Sequence, residues 1–224
     1  MCIRDSYQCA ALGERLERHL SPDRYGLGTI CNLYFDTENY SIIRSSLEKP
    51  AYKEKLRLRS YGVPTSESNV FLELKKKCEG VVYKRRTPLF YREAVEYLQS
   101  GRSPNPDDPT LREIGWFLNR YHPIPRTCLC YDRAAYYGVE DPNLRVTFDF
   151  RVRYRDCDLE LAAGDYGREI LPSGSALMEI KVPRAIPLYL SRILSELGIF
   201  PTSFSKYGVC YQKQLEETGG ILHV

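Results

Sequence analysis

Histidine and tryptophan are scarce in this chain of 224 residues: three histidines (His19, His122, His223) and one tryptophan, Trp116. The histidines are scattered and none of the eight cysteines forms a Cys-x-x-Cys pair, which argues against a zinc centre. The same scarcity leaves no Ser/His/Asp arrangement in view. The phosphate-loop pattern G-x-x-x-x-G-K-[ST] is missing, and Gly13, Gly26 and Gly28 do not compose one. There is no long apolar run, no signal peptide and no internal repeat. The expected setting is a reducing, soluble, cytoplasmic compartment with no membrane segment. The net charge is only +3, so bulk charge gives no argument for nucleic acid.

What is present is a core's worth of apolar residues, 43% of the chain, and an uneven placement of charge. Lys53, Lys55, Arg57 and Arg59 alternate with apolar Leu56 and Leu58. Residues two apart share a face of a strand, so all four cations point one way. The same parity groups Glu73, Lys75 and Lys77; Lys84 and Arg86; Arg145, Thr147, Asp149, Arg151 and Arg153; and Glu179 with Lys181. Arg133 lies in Tyr131-Asp132-Arg133.

Turn signals and periodicity place helices at 7–20, 37–47, 90–99, 111–121, 188–197 and within 204–217. Strands are expected at 29–36, 52–61, 69–77, 81–86, 127–137, 144–154 and 175–182. Cys128 and Cys130 sit two apart on one strand face and are expected to pack there. Residues 1–6 fit no element and read as a non-native leader; residues 7–224 read as a single domain. Seven or eight antiparallel strands tend to curl into a barrel. The expected fold is α+β, an antiparallel β-barrel tunnel with peripheral helices.

Cations this dense repel one another unless counter-charge fills the space between them. A triphosphate or a longer polyphosphate supplies it, with Arg gripping two oxygens at once and Lys acting as a point charge. The carboxylates on these faces, Glu73 and Glu179, suit a divalent metal that bridges phosphate oxygens.

The ordered segments Leu33-Tyr34-Phe35-Asp36-Thr37, Ser46-Leu47-Glu48-Lys49-Pro50, Lys53-Glu54-Lys55-Leu56-Arg57-Leu58-Arg59, Phe71-Leu72-Glu73-Leu74-Lys75, Tyr83-Lys84-Arg85-Arg86, Tyr131-Asp132-Arg133, Met178-Glu179-Ile180-Lys181 and Ser205-Lys206-Tyr207 resemble the VTC domain. This is the polyphosphate-polymerase branch of the triphosphate tunnel metalloenzymes, related to the CYTH domains. The resemblance implies transfer of the ATP γ-phosphoryl group onto polyphosphate, with Mn2+ or Mg2+. It implies that Arg57 and Arg59 hold nucleotide phosphates with Lys75 and Lys84 beside them, and that Arg133 and Arg145 reach phosphates from an opposite wall. By the same resemblance Glu179 ligates the metal, and Ser205 and Lys206 bind a phosphate near one mouth. Lys55, Arg86 and Lys181 share the polar faces and are expected to bind substrate. The family's opening Glu-x-Lys strand has no match in residues 1–24, which implies a missing first strand.

Two other readings use the same residues. One is a triphosphate hydrolase of the same fold. The other is a binding module for polyphosphate or an inositol phosphate, the latter also a candidate regulator. Nucleic acid fits poorly, because the basic runs lack interleaved aromatics on their own face.

Overall fold

The structure, a computed structural model, describes residues 2, 3, 6–217 and 219. In chain order the elements are β1 (Cys2–Ile3), α1 (Ser6–Leu16), β2 (Leu20–Asp36), α2 (Ser41–Leu47), β3 (Tyr52–Tyr61), β4 (Asn69–Cys78), β5 (Val81–Phe90), α3 (Tyr91–Ser100) and α4 (Pro109–Tyr121). Then follow β6 (Ile124–Gly138), β7 (Arg145–Arg155), β8 (Arg168–Glu169), β9 (Ala176–Lys181), α5 (Leu188–Glu196) and α6 (Lys206–Glu217). The fold is α+β with an antiparallel sheet, as expected. Among the described residues no helix is long and apolar enough to cross a membrane.

The residues form two compact units. One comprises the chain up to Thr29 with Cys130–Arg153 and Arg168–Ser205; the other comprises Ile30–Leu129, Tyr154–Gly167 and the chain from Lys206 onward. In the first, β1, β9, β7, β6 and the start of β2 are neighbours in that order. Val146 and Phe148 of β7 lie opposite Ile180 and Met178 of β9. They share a core with Leu12 and Leu16 of α1 and with Leu190, Ile193 and Leu194 of α5. The Gln8 side chain donates to the Leu197 carbonyl at 3.0 Å, tying α1 to the end of α5.

In the second unit the end of β2, then β3, β4 and β5, are successive neighbours. Leu56, Leu58, Leu72 and Leu74 are buried, as are Ala94 and Tyr97 of α3 and Leu111, Ile114 and Phe117 of α4. Each such buried aliphatic side chain stabilises the unit by roughly 1.5–3 kcal/mol. The Tyr97 hydroxyl donates to the Leu111 carbonyl at 2.7 Å, joining the two helices. Because the apolar residues of β3 and β4 hold one parity, the cations between them hold the other face; Lys76, opposite Glu54, shares the leucine parity.

Several boundaries differ from the sequence pattern. Strand β2 starts at Leu20 rather than Thr29, and α1 stops at Leu16. Pro22 disfavours helical geometry at Ser21, so the chain leaves the helix early and extends. Strand β5 continues through Pro88 to Phe90; it ends the strand order, where a missing N–H costs no ladder bond. Cys2 and Ile3, which fit no element by pattern, pair with Leu177 and Ala176 of β9. The alternation of residues 145–153 breaks at Arg151, whose φ of 44° is left-handed. Val152, Arg153, Tyr154 and Arg155 are then all buried, so the parity that groups Arg151 and Arg153 with Arg145 does not hold.

Helix α2 begins at Ser41, four residues after the expected cap at Thr37. Its orphan N–H groups are met by Asp36, which accepts from Ile42 N at 2.9 Å and Ile43 N at 3.0 Å. Asp36 also accepts from the Tyr207 hydroxyl at 2.9 Å, which links α6 to the same carboxylate. Burial pushes the Asp36 pKa up, and these donors oppose it. Asp36→Ala removes a cap and leaves the Tyr207 hydroxyl buried without its acceptor. The expected loss is about 2–3 kcal/mol, read as a lower urea midpoint with an unchanged slope.

Candidate functional site

Three strands of the second unit carry the cations expected from the sequence, and their register stacks the charges in rows. Lys53 faces Lys77 across β3 and β4. Lys55 faces Lys75, which in turn faces Lys84. Arg57 faces Glu73, which faces Arg86. Tyr34 of β2 lies opposite Arg57, and Asn32 opposite Arg59. Side chains directly opposite on an antiparallel pair stand about 4.5–5.5 Å apart at Cβ, and like charges so placed are destabilising. Glu73 is the sole acid of β3, β4 and β5 on this face.

Glu73 is 1% exposed and holds the arrangement together. Arg57 donates from Nε to Oε2 at 2.7 Å, with its Nη2 2.6 Å from the same oxygen. Lys84 Nζ is 2.9 Å from Oε1, and Arg86 Nε is 3.6 Å from it. Burial alone would raise the carboxyl pKa; Arg57, Arg59 and Lys84 outweigh it and hold it down at about 2. Burial pushes the Lys84 and Lys55 ammonium groups down from their usual value.

A second layer orients the arginines. Arg57 Nη1 donates to the Tyr34 hydroxyl at 3.0 Å, and Arg59 Nε donates to Asn32 Oδ1 at 2.9 Å. Asn32 is fixed in turn by donating to the Leu129 carbonyl at 3.0 Å. Tyr34 stacks on Tyr207, centroids 4.6 Å apart. Burial pushes the Tyr34 pKa up, but Arg57, Arg59 and Lys55 bring it below its ordinary value. Arg86 lies over the Phe71 ring at 3.5 Å.

Sequence reasoning found the cations but missed Tyr34, Asn32, Asp36 and Tyr207. The signal for Asn32 and Tyr34 was their shared parity in β2; the Asp36–Tyr207 bond has a separation of 171 residues and leaves no local trace. Thus Lys55, Arg57, Arg59, Glu73, Lys75, Lys84 and Arg86 are brought together on one face. Lys206 opens α6, directly after Ser205.

The first unit holds the other expected residues. Arg133 makes a two-pronged pair with buried Asp149, 2.6 and 2.9 Å. Although burial works against charge, that pair raises the Arg133 pKa further. Arg145, about half exposed, sits 3.1 Å from Asp23, which also accepts from the Tyr137 hydroxyl at 3.2 Å. Arg145 lies opposite Lys181, and Glu179 opposite Thr147. Glu179 is 51% exposed, with Lys181 Nζ 3.4 Å away. Asp149 and Asp23 were missed as partners, although Asp149 shares the polar parity of β7.

The chemistry of the donors separates the two candidate metal ligands. Each Glu73 oxygen has a cation beside it, Arg57 at Oε2 and Lys84 at Oε1, so its charge is already answered within the strands. Glu179 fits better: it is half exposed, and a hard cation at such a site takes one or two carboxylates with the remainder from phosphate oxygens and water. Among the described residues no three His, Cys, Asp or Glu side chains converge to form a complete protein cage.

Glu73 is depressed in the folded chain, so its stabilisation is complete above its unfolded pKa and lost as pH falls through the folded one. A drop from 4.5 to about 2 corresponds to about 3 kcal/mol. Glu73→Gln is therefore expected to lower the denaturation midpoint at pH 7. The gap from the parent chain should close as pH falls from about 4.5 to about 2. A gap that stays constant across that window refutes this role.

Among solved structures the chain resembles a proposed adenylate cyclase from Bacillus halodurans, with a TM-score of 0.55 and 14% identity over 92% of this chain and 91% of that one. It also resembles a Hippeastrum protein described as a proposed adenylyl cyclase with a dominant triphosphatase activity. There the TM-score is 0.54 and the identity 17%, over 99% of this chain and 95% of that one. At these identities the likeness establishes the fold. No curated protein matches the sequence significantly. The VTC domain family model matches residues 4–215. With that match over nearly its whole length, the chain belongs to the VTC domain family.

Proposed function

We propose that this chain is a phosphoryl-transfer enzyme that moves the γ-phosphoryl group of ATP onto polyphosphate. The observation that carries the reading is the row Lys55, Lys75, Lys84 set beside Arg57, Glu73 and Arg86. One buried carboxylate cannot balance that many cations, and a chain of phosphates supplies about one negative charge per unit along the same rows. Family membership supports the choice of acceptor.

The chain's own groups then have distinct tasks. Arg57, oriented by Glu73 and Tyr34, presents its positive charge to phosphate oxygens. Lys75, exposed at the centre of its row, takes charge that develops on non-bridging oxygens. Arg59, Lys84 and Arg86 complete the positive field, and Lys55 extends it. Glu73 stays ionised throughout the working pH range and keeps Arg57 and Lys84 in place, so it is a positioning residue. Phosphoryl transfer depends on alignment and charge neutralisation more than on covalent participation. The attacking terminal phosphate oxygen is already ionised near pH 7, so no general base is required and the scarcity of histidine is no obstacle.

In the first unit, Arg133 and Arg145 are assigned to phosphate binding, with Lys181 beside Arg145. Ser205, the last residue of that unit, and Lys206, which opens α6 of the second, are assigned to a terminal phosphate. Glu179 would hold the divalent ion, Mn2+ or Mg2+, which when bound offsets charge on phosphate oxygens.

A second reading, hydrolysis of triphosphate, draws support from the activity described for the Hippeastrum protein of like fold. Incubation with ATP and Mn2+ separates the two. Long chains resolved on a gel are the expected product, whereas orthophosphate alone favours hydrolysis and bound phosphate without turnover favours a binding module. Arg57→Ala is expected to reduce turnover by about 100-fold or more. Chelation of the metal with EDTA is expected to abolish it. Full activity in Arg57→Ala would overturn the assignment.

A further inference from the structure

The reverse face of β3 and β4 carries an unexplained feature. Glu54 of β3 and Lys76 of β4 alternate with the cations of the rows described above and lie opposite one another, so they point the other way. They line a cleft of about 580 Å3 together with α4. That volume lies within the range of roughly 300–1,000 Å3 usual for small-molecule sites. At its rim stands Trp116, the chain's sole tryptophan and 79% exposed.

The flanking charges are unequal. Arg112 and Arg120 precede and follow Trp116 by four residues, which puts them on one helix stripe, one turn to either side. Among the described residues neither makes an ion pair. The two acids of the cleft are engaged. Glu113 meets Lys76 at 2.8 Å and Arg85 at 3.1 Å. Glu54 accepts from the Tyr121 hydroxyl at 2.8 Å and sits 3.8 Å from Lys76. Tyr52, 42% exposed, closes the opposite side. Burial and the Glu54 carboxylate push its hydroxyl up to about 12, so it stays a neutral donor at working pH.

We infer that this cleft binds a nucleoside phosphate, its base stacked on Trp116 and its phosphate held by Arg112 and Arg120. An exposed indole offers a flat apolar surface, and a base covering it gains about 1–3 kcal/mol. A guanidinium on either side offers forked donors to phosphate oxygens. An inorganic phosphate chain has no flat face for the indole, and an uncharged aromatic gives the two arginines no counter-charge. The combination selects a ligand that carries both parts. The site lies on the face of β3 and β4 opposite Arg57, Glu73 and Lys75, and is independent of the activity proposed above.

Because Trp116 is the sole indole, its fluorescence reports on this cleft. The full chain is titrated in EDTA with each of the four ribonucleoside 5′-monophosphates, and then with adenosine, ribose 5-phosphate and tripolyphosphate. At least one monophosphate is expected to quench saturably. Its nucleoside and ribose 5-phosphate should bind at least 10-fold more weakly, and tripolyphosphate should leave the emission unchanged. Arg112→Ala and Arg120→Ala, both at exposed positions, should each weaken the binding at least 5-fold, while Arg57→Ala should leave it intact. The inference falls if no monophosphate quenches, if the nucleoside binds as well as the nucleotide, or if both arginine variants bind normally. It also falls if Arg57→Ala removes the response, since the signal would then arise from the opposite face.

Discussion

The Glu73 carboxylate is the constraint around which the second unit is arranged. It is buried, it faces Arg57, Lys84 and Arg86, and it stands at the centre of three strands whose other charges on that face are positive. A lone buried carboxylate would be costly and so would the uncompensated cations; together they make a charged surface that can fold before any ligand arrives. The compensation is partial by design of the register. Lys55, Lys75 and Lys84 remain opposed across the strands, which leaves residual repulsion on this face.

The rest of the unit keeps those groups in position. Leucines of opposite parity fix β3 and β4 beneath α3 and α4, so the strands cannot slip by one residue without burying lysines and exposing leucines. Tyr34 and Asn32 take donors from Arg57 and Arg59, which limits their rotamers. Tyr207 stacks on Tyr34 and donates to Asp36, so one buried carboxylate joins α2, α6 and the edge of the charged face.

Alternation made the strands legible. Tyr52–Tyr61 and the start of β4 at Asn69 follow from the sequence without adjustment, because polar and apolar residues there keep strict parity. Boundaries failed where backbone geometry overrode pattern: at Ser21-Pro22, at Pro88, and at Arg151, whose positive φ reverses the faces beyond it. The cations of the candidate site were visible for the same reason the strands were. Their partners Asp149, Asp23 and Asn32 were less so, since a short polar residue on a strand gives no indication of which arginine it meets.

By itself the sequence determined which residues share a strand face, and therefore that Lys55, Arg57, Lys75, Lys84 and Arg86 belong to one charged surface; that follows from the two-residue period of an extended chain. Only the tertiary structure decided how the charges pair. Register between strands places Glu73 between Arg57 and Arg86, with a cation beside each of its oxygens. It also sets Glu54 and Lys76 under α4, where Trp116 stands between two arginines. Such choices depend on contacts between residues far apart in the chain, and local periodicity carries no record of them.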